Sequence, residues 1–324
     1  MSNVLLTIHN LSVGYRTIRG TYYAVRNVDL ELYDDEVIAI VGESGSGKTT
    51  LVNAIVSYLP PNAFVNGTIN LEGKTIRKDN YVDPYFTQNR WKLIPLVPQA
   101  SMNIFNPVVT IASHFIDTAE AYGISKDEAL ARARKLLRDV KLDPNKVLRM
   151  YTHQLSGGMK QRVAIALALL LNPKMIILDE PTSALDVVTQ RQILDLLKEL
   201  KRIYHFSVII VTHDITVANY IANRIYVMYG GKFVEYGLKN DVIKHPVHPY
   251  TISLLGSVPT VKVKNPFSEF RLRKGSVSYV GCPLYYKCPF ADDACKDELT
   301  RIEYSQGHVV YCNHIDRVRV VIYG

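Results

Sequence analysis

The sequence predicts an α/β fold, a mostly parallel sheet with helical layers, on three observations. Three short runs, "VIAIV" (Val37 to Val41), "MIILD" and "SVIIV", are unbroken apolar and β-branched, as in strands buried on both faces. They alternate with segments of helical spacing, the rhythm of a parallel sheet covered by helices. The first of these strands also runs into a glycine-rich turn that opens a helix, "GESGSGKTT" (Gly42 to Thr50).

Taken in chain order, "LLTIHNLSVGY" and "VDLELYDDEVIAIVGE" read as short strands joined by turns. The segment "KTTLVNAIVSYL" follows with helical spacing. Polar, Pro and Tyr residues make 67–107 irregular. In "SKDEALARARKLLRDV" an amphipathic helix is expected, with Ser125 as N-cap and Glu128 as its capping-box partner. The stretch "LSGGMKQRVAIALALLL" places Ser156, a good N-cap, before two glycines and a buried helix. Glycine is a poor helix former, so the pair Gly157-Gly158 points to a bare helix start that an anion can approach. The strand "MIILDE", the helix "VTQRQILDLLKELKRIY" and the strand "SVIIVTHD" come next. Beyond about Gly237 the rhythm breaks into Pro- and His-bearing segments, the basic "FRLRKG" and a short cysteine-bearing tail.

Composition narrows the function classes. The 324 residues suffice for one large or two modest domains, and 48% hydrophobic with 21% charged residues describes a globular chain. A net charge of +8 suits anionic ligands or a lipid-facing surface but is too weak to argue nucleic-acid binding. No apolar run reaches the ~20 residues of a bilayer span. The start "MSNVLLTIHN" has neither basic n-region nor apolar h-region, so a protein of the cytosol, or peripheral to a membrane on that side, is expected.

Three motifs carry chemistry. The turn Gly42–Thr50 matches G-x-x-x-x-G-K-[ST] between a strand and a helix, the context of a nucleotide site. Its backbone N–H groups would curl round phosphate, Lys48 would bring charge to the outer phosphates, and Thr49 would offer a hydroxyl to Mg²⁺. The strand "MIILDE" ends in adjacent carboxylates: Asp179 for the metal, Glu180 to polarise an attacking water. In "VTHD", His213 could hydrogen-bond the transferred phosphoryl group, although a lone histidine is more often structural. Cys282, Cys288, Cys295 and Cys312, spaced C-x5-C-x6-C-x16-C, allow tetrahedral zinc, an iron–sulfur centre or disulfides on spacing alone.

Together these motifs resemble the ATP-binding subunit of an ABC transporter, in the order of that family and over nearly the whole chain. The turn Gly42–Thr49 stands as Walker A, Gln99 in "LVPQ" as the Q-loop, "LSGGMKQR" as the signature, Asp179 as the end of Walker B, "SALD" as the D-loop and His213 as the switch. The resemblance implies a P-loop NTPase with a RecA-like core, a β-subdomain and a helical subdomain at about 100–172. The cassette would span 1–237 and a C-terminal extension 238–324. It implies catalysis by Glu180, His213, Gln99 and Lys48, and Mg²⁺ held by Thr49, Gln99 and Asp179. ATP would be bound by Tyr15 stacking on adenine and by Gly42, Ser44, Gly45, Ser46, Gly47, Lys48, Thr49, Thr50, Gln99, Asp179 and Asp186. Ser156, Gly157, Gly158 and Gln161 would contact the ATP held by a partner subunit, packed head to tail.

Within the family, "FNPVVTIASH", "HPVHPYTISLLGSVP" (His245 to Pro259) and the cysteine tail resemble the oligopeptide/dipeptide importer branch. That likeness implies a 4Fe–4S cluster on the four cysteines, structural in role, with zinc as the alternative. It implies a second ATP-binding subunit, a paralogue that completes a heterodimer, two transmembrane permease subunits and an extracytoplasmic solute-binding protein, at the cytoplasmic face of the membrane. Peptides are the expected cargo and oligosaccharides the alternative. A soluble ABC ATPase acting on nucleic acid or ribosomes is the rival, which the absence of a coiled-coil insertion or a second cassette disfavours. Two departures stand out: Asp35 where the family usually has glycine, and "VKVKNPFSEFRLRKGSVSYVG" without the branch's Pro- and Gly-rich wording.

Overall fold

The computed structural model describes residues 3–18, 20–99, 105–258 and 266–323. The sequence readings that fall on 100–104, on Pro259 and on 261–265 therefore lie outside the described residues. The chain divides into two compact units: a larger one of residues 4–32, 37–81 and 212–324, and a smaller one of 1–3, 33–36 and 82–211.

The larger unit opens with two long strands, β1 (Val4–Thr17) and β2 (Gly20–Tyr33). Strands β4 (Ala63–Leu71), β5 (Lys74–Lys78) and β6 (Tyr81–Val82) join them in the antiparallel order β2-β1-β4-β5-β6. Region 67–107 is thus less irregular than the sequence predicts. Its strands are short, and Gly67 sits inside β4 with φ of 112°, which hides their period. Strand β3 (Val37–Val41), buried at every position, leads through the glycine turn into helix α1 (Lys48–Ile55).

Four further strands continue from β3 in the order β12-β13-β11-β10-β3. They are β10 (Arg224–Tyr229), β11 (Lys232–Leu238), β12 (Arg301–Ser305) and β13 (His308–Tyr311). β10 runs parallel to β3, and β13 pairs antiparallel to β11 through Glu235↔Val310 and Tyr236↔Val309. The tail is therefore not merely irregular: its hairpin adds two strands to the sheet that carries β3. Helices α8 (Ile215–Ile221), α9 (Lys239–Lys244), α10 (Pro249–Gly256) and α11 (Ile315–Tyr323) complete this unit. Val247, Val310, Cys312 and Ile315 form a small apolar core under the hairpin.

The smaller unit has three parallel strands in the order β9-β8-β7: β7 (Leu96–Val97), β8 (Met175–Asp179) and β9 (Ser207–Thr212). β8 and β9 are buried at every position, as their unbroken apolar runs predict. Around them lie α2 (Pro84–Leu93), α3 (Ile111–Glu120), α4 (Lys126–Asp139), α5 (Pro144–Val147), α6 (Gly157–Ala168) and α7 (Val187–Tyr204). Ser125 caps α4 by accepting from the Glu128 N–H at 3.4 Å, while the Glu128 carboxylate pairs forward with Arg132. Among the described residues no helix is long and apolar enough to cross a membrane.

Candidate functional site

The glycine turn is shaped by backbone conformations that side chains resist. Gly47, the residue before α1, has φ of 106°, and a Cβ there would lie 2.3 Å from the Ala24 carbonyl oxygen. Glycine is required on both counts. Gly47 has no side chain, so the start of α1 carries no side-chain cap. Lys48, only 6% exposed, folds its ammonium back over the turn. Its Nζ donates to the carbonyls of Gly42 at 2.7 Å and Glu43 at 2.8 Å. Ser46 is buried and its carbonyl accepts from Gly231 N–H at 2.9 Å, whereas Ser44, Gly45 and Thr49 are exposed at the mouth. A buried cation folded over a glycine turn at a helix start suits a polyphosphate.

Two aromatic residues of the same unit reach this turn. Tyr15 is half-buried, with its hydroxyl 3.2 Å from Thr50 Oγ1. Tyr250 is the one that sequence reasoning missed. It is 1% exposed, and its phenol oxygen accepts from the Glu43 backbone N–H at 2.9 Å. Only its place in "HPYT" hinted at a role. His213 lies exposed just past the end of β9.

The remaining predicted residues stand in the smaller unit. Asp179 ends β8 and is 2% exposed. Glu180, also buried, takes a left-handed φ of 50° fixed by its N–H donating to Val211 O at 2.8 Å. A non-glycine residue held there is strained, and such strain gathers at functional sites. Asp186 caps α7, accepting from Thr189 N–H at 3.0 Å and Thr189 Oγ1 at 2.6 Å, and these bonds hold its carboxyl below the usual range. Ser156 caps α6 as the sequence predicts, accepting from Met159 N–H at 3.3 Å. Gly158 has a packing reason as well: a Cβ there would meet Thr189 Cγ2 at 2.9 Å, so the glycine lets α7 approach α6. Gln161 is buried in α6, and Gln99 is exposed beyond β7.

The four cysteines are buried free thiols whose charges, if ionised, would act on one another, Cys312 with all three others. Burial pushes Cys282 and Cys312 up to about 12. Backbone N–H groups nevertheless point at the sulfurs: Leu284 at Cys282, Phe290 and Ala291 at Cys288, Asp292 at Cys295 and His314 at Cys312. Donors beside buried sulfurs suit thiolates, and a cationic centre would offset the burial and mutual repulsion that oppose their ionisation. Among the described residues, the His, Cys, Asp and Glu ligand atoms that gather within 4.8 Å are those of Asp292, Cys295 and His314. The His314 ring already meets Asp292 at 2.6 Å, and Arg317 holds the other carboxylate oxygen at 3.0 Å.

Known proteins resemble this chain over most of its length. The family described as ABC transporter matches residues 25–183, and the one described as the C-terminal region of oligopeptide/dipeptide transporters matches 234–295. A dipeptide transport ATP-binding protein of Caldanaerobacter subterraneus subsp. tengcongensis is 42% identical over 307 residues, 91% of this chain and 92% of the relative. An oligopeptide transport ATP-binding protein of Salmonella typhimurium is 37% identical, covering 96% of this chain and 94% of its own length. Among solved structures, a dimeric ATP-binding cassette in a post-hydrolysis state with ADP and Pi aligns with a TM-score of 0.63 and 32% identity. That alignment covers 72% of this chain and 99% of the cassette.

Proposed function

The chain belongs to the ABC transporter family, and from that premise we propose that it is the ATP-hydrolysing subunit of a peptide importer. The observation that carries this reading is the turn itself: a buried Lys48 ammonium over an uncapped helix start, a cradle for ATP's outer phosphates. The match of 234–295 to the C-terminal region of oligopeptide/dipeptide transporters supports peptides as cargo and argues against a nucleic-acid-acting ATPase.

The roles follow from chemistry at each residue. Lys48 binds the β- and γ-phosphates, and Tyr15 flanks the base. Thr49 and Asp179, with Gln99, would hold Mg²⁺, which when bound neutralises developing phosphate charge. Glu180 takes the proton of the attacking water, and His213 donates to the γ-phosphoryl oxygens. The α6 start at Ser156-Gly157-Gly158 seals the ATP held by a second ATP-binding subunit, so closure of the pair powers two permease subunits fed by a solute-binding protein. The protein then sits peripherally at the cytoplasmic face of the membrane.

The tail would hold a 4Fe–4S cluster on Cys282, Cys288, Cys295 and Cys312. A tetrahedral zinc with ~2.3 Å bonds draws its sulfurs to within ~3.8 Å of one another. Four buried cysteines are a donor set that either centre takes. The cluster would cross-link a segment with little apolar core. The test of the main reading is Glu180→Gln: ATP binding persists and hydrolysis falls about 10²- to 10⁴-fold, the size of a lost general base. Undiminished turnover removes Glu180 from that role.

A further inference from the structure

We propose that Tyr250 is a positioning residue for the glycine turn, and that Lys287, in the loop between the first two cysteines, acts on it through Tyr229. The inference rests on the turn being the ATP site. A single peptide group is the pivot. The peptide joining Gly42 to Glu43 gives its N–H to the Tyr250 hydroxyl at 2.9 Å and its carbonyl to Lys48 Nζ at 2.7 Å. Tyr250 therefore fixes the plane of the peptide whose oxygen holds the phosphate-binding lysine. Hydrogen bonds in series polarise one another, so the loss of one weakens the next.

Tyr250 is in turn held from two sides. Its ring packs on Tyr229 with centroids 4.4 Å apart, and Lys287 Nζ stands 5.4 Å from the Tyr229 centroid. Lys287 directly precedes Cys288. From the other side, His248 caps α10 by accepting the Tyr250 N–H at Nδ1, 3.1 Å away. The N–H groups of Val247 and His248 end on the buried Glu235 carboxylate, which also meets His308 Nε2 of β13 at 2.8 Å. All of these groups lie in the larger unit. The cysteine-bearing tail thus grips the residue that orients the nucleotide loop, and loosening the tail lowers nucleotide affinity.

The experiment uses the full chain as purified and measures the ATP Kd with a fluorescent ATP analogue, beside steady-state KM and kcat. Tyr250→Phe keeps the ring and strands a half-buried donor. Its Kd and KM rise about five- to tenfold, the low end for an orphaned N–H, with kcat held within twofold. Lys287 is half-buried, so Lys287→Met reads the same coupling without entering the core; it raises Kd about threefold and adds nothing in the Tyr250→Phe background. Unchanged Kd in both single variants, or losses that multiply in the double variant, overturns the coupling. Lys48→Ala separates this failure from failure of its premise. Lost ATP binding in Lys48→Ala beside an unchanged Tyr250→Phe discards only the coupling, whereas retained ATP binding in Lys48→Ala discards the ATP site as well.

Discussion

His248 makes the stability of the larger unit depend on pH in a way that can be worked out from its surroundings. The ring is 1% exposed and burial holds its pKa at about 3, against 6.5 in an unfolded chain. Its Nδ1 accepts the Tyr250 N–H, so the neutral ring carries its proton on Nε2. The folded state thus binds fewer protons than the unfolded state across pH 3 to 6.5. Stability from this group is complete above about pH 6.5 and drains away as pH falls toward 3. Between pH 8 and pH 5 the loss comes to about 2 kcal/mol, from 1.36 kcal/mol per decade over about 1.5 decades. In His248→Asn, asparagine is also a preferred N-cap and keeps an acceptor for Tyr250, but it does not titrate. Urea unfolding followed by far-UV circular dichroism, for both proteins at both pH values, gives the comparison. The parent should lose about 2 kcal/mol more than the variant, whatever the smaller side chain costs at either pH. Equal losses would refute the buried, neutral histidine.

Other outcomes follow from the same structure. Gly47→Ala demands a left-handed alanine with its Cβ 2.3 Å from Ala24 O; strain of about 1–3 kcal/mol or more should weaken ATP binding at least tenfold in an equilibrium titration. Anaerobically purified protein should be brown with visible iron–sulfur absorbance that Cys282→Ser abolishes; a colourless protein with stoichiometric zinc overturns the cluster. If Ser156 seals a partner's ATP, turnover per chain should rise with protein concentration and collapse in Ser156→Arg; concentration-independent turnover indifferent to Ser156 contradicts the paired site.

What was legible in the sequence was whatever a local pattern encodes. Strands β3, β8 and β9 announce themselves because burial on both faces leaves no polar residue in the run. Ser125 and Ser156 betray helix starts because capping is a matter of four consecutive residues. The antiparallel strands β4 to β6 were hidden by short length and an internal glycine, and the tail hairpin by pairing across about 75 positions, Glu235 with Val310. The glycine turn was fully readable as a motif, yet Tyr250 was not. It stands 207 residues from its hydrogen-bond partner Glu43, and no spacing rule reaches so far. The alternatives for the four cysteines likewise could not be separated by spacing, because which N–H groups face each sulfur is decided by tertiary fold.

The β12–β13 hairpin has a practical bearing on how this molecule can be dissected. A chain severed after Leu238 would bare the outer rim of β11, an unsatisfied ladder that invites neighbouring molecules to stack onto it. It would also leave Glu235 as a lone carboxylate without His308, Val247 or His248 to receive its charge. The minimal cassette cut from this protein would therefore be a sticky, altered object rather than a simpler version of the whole.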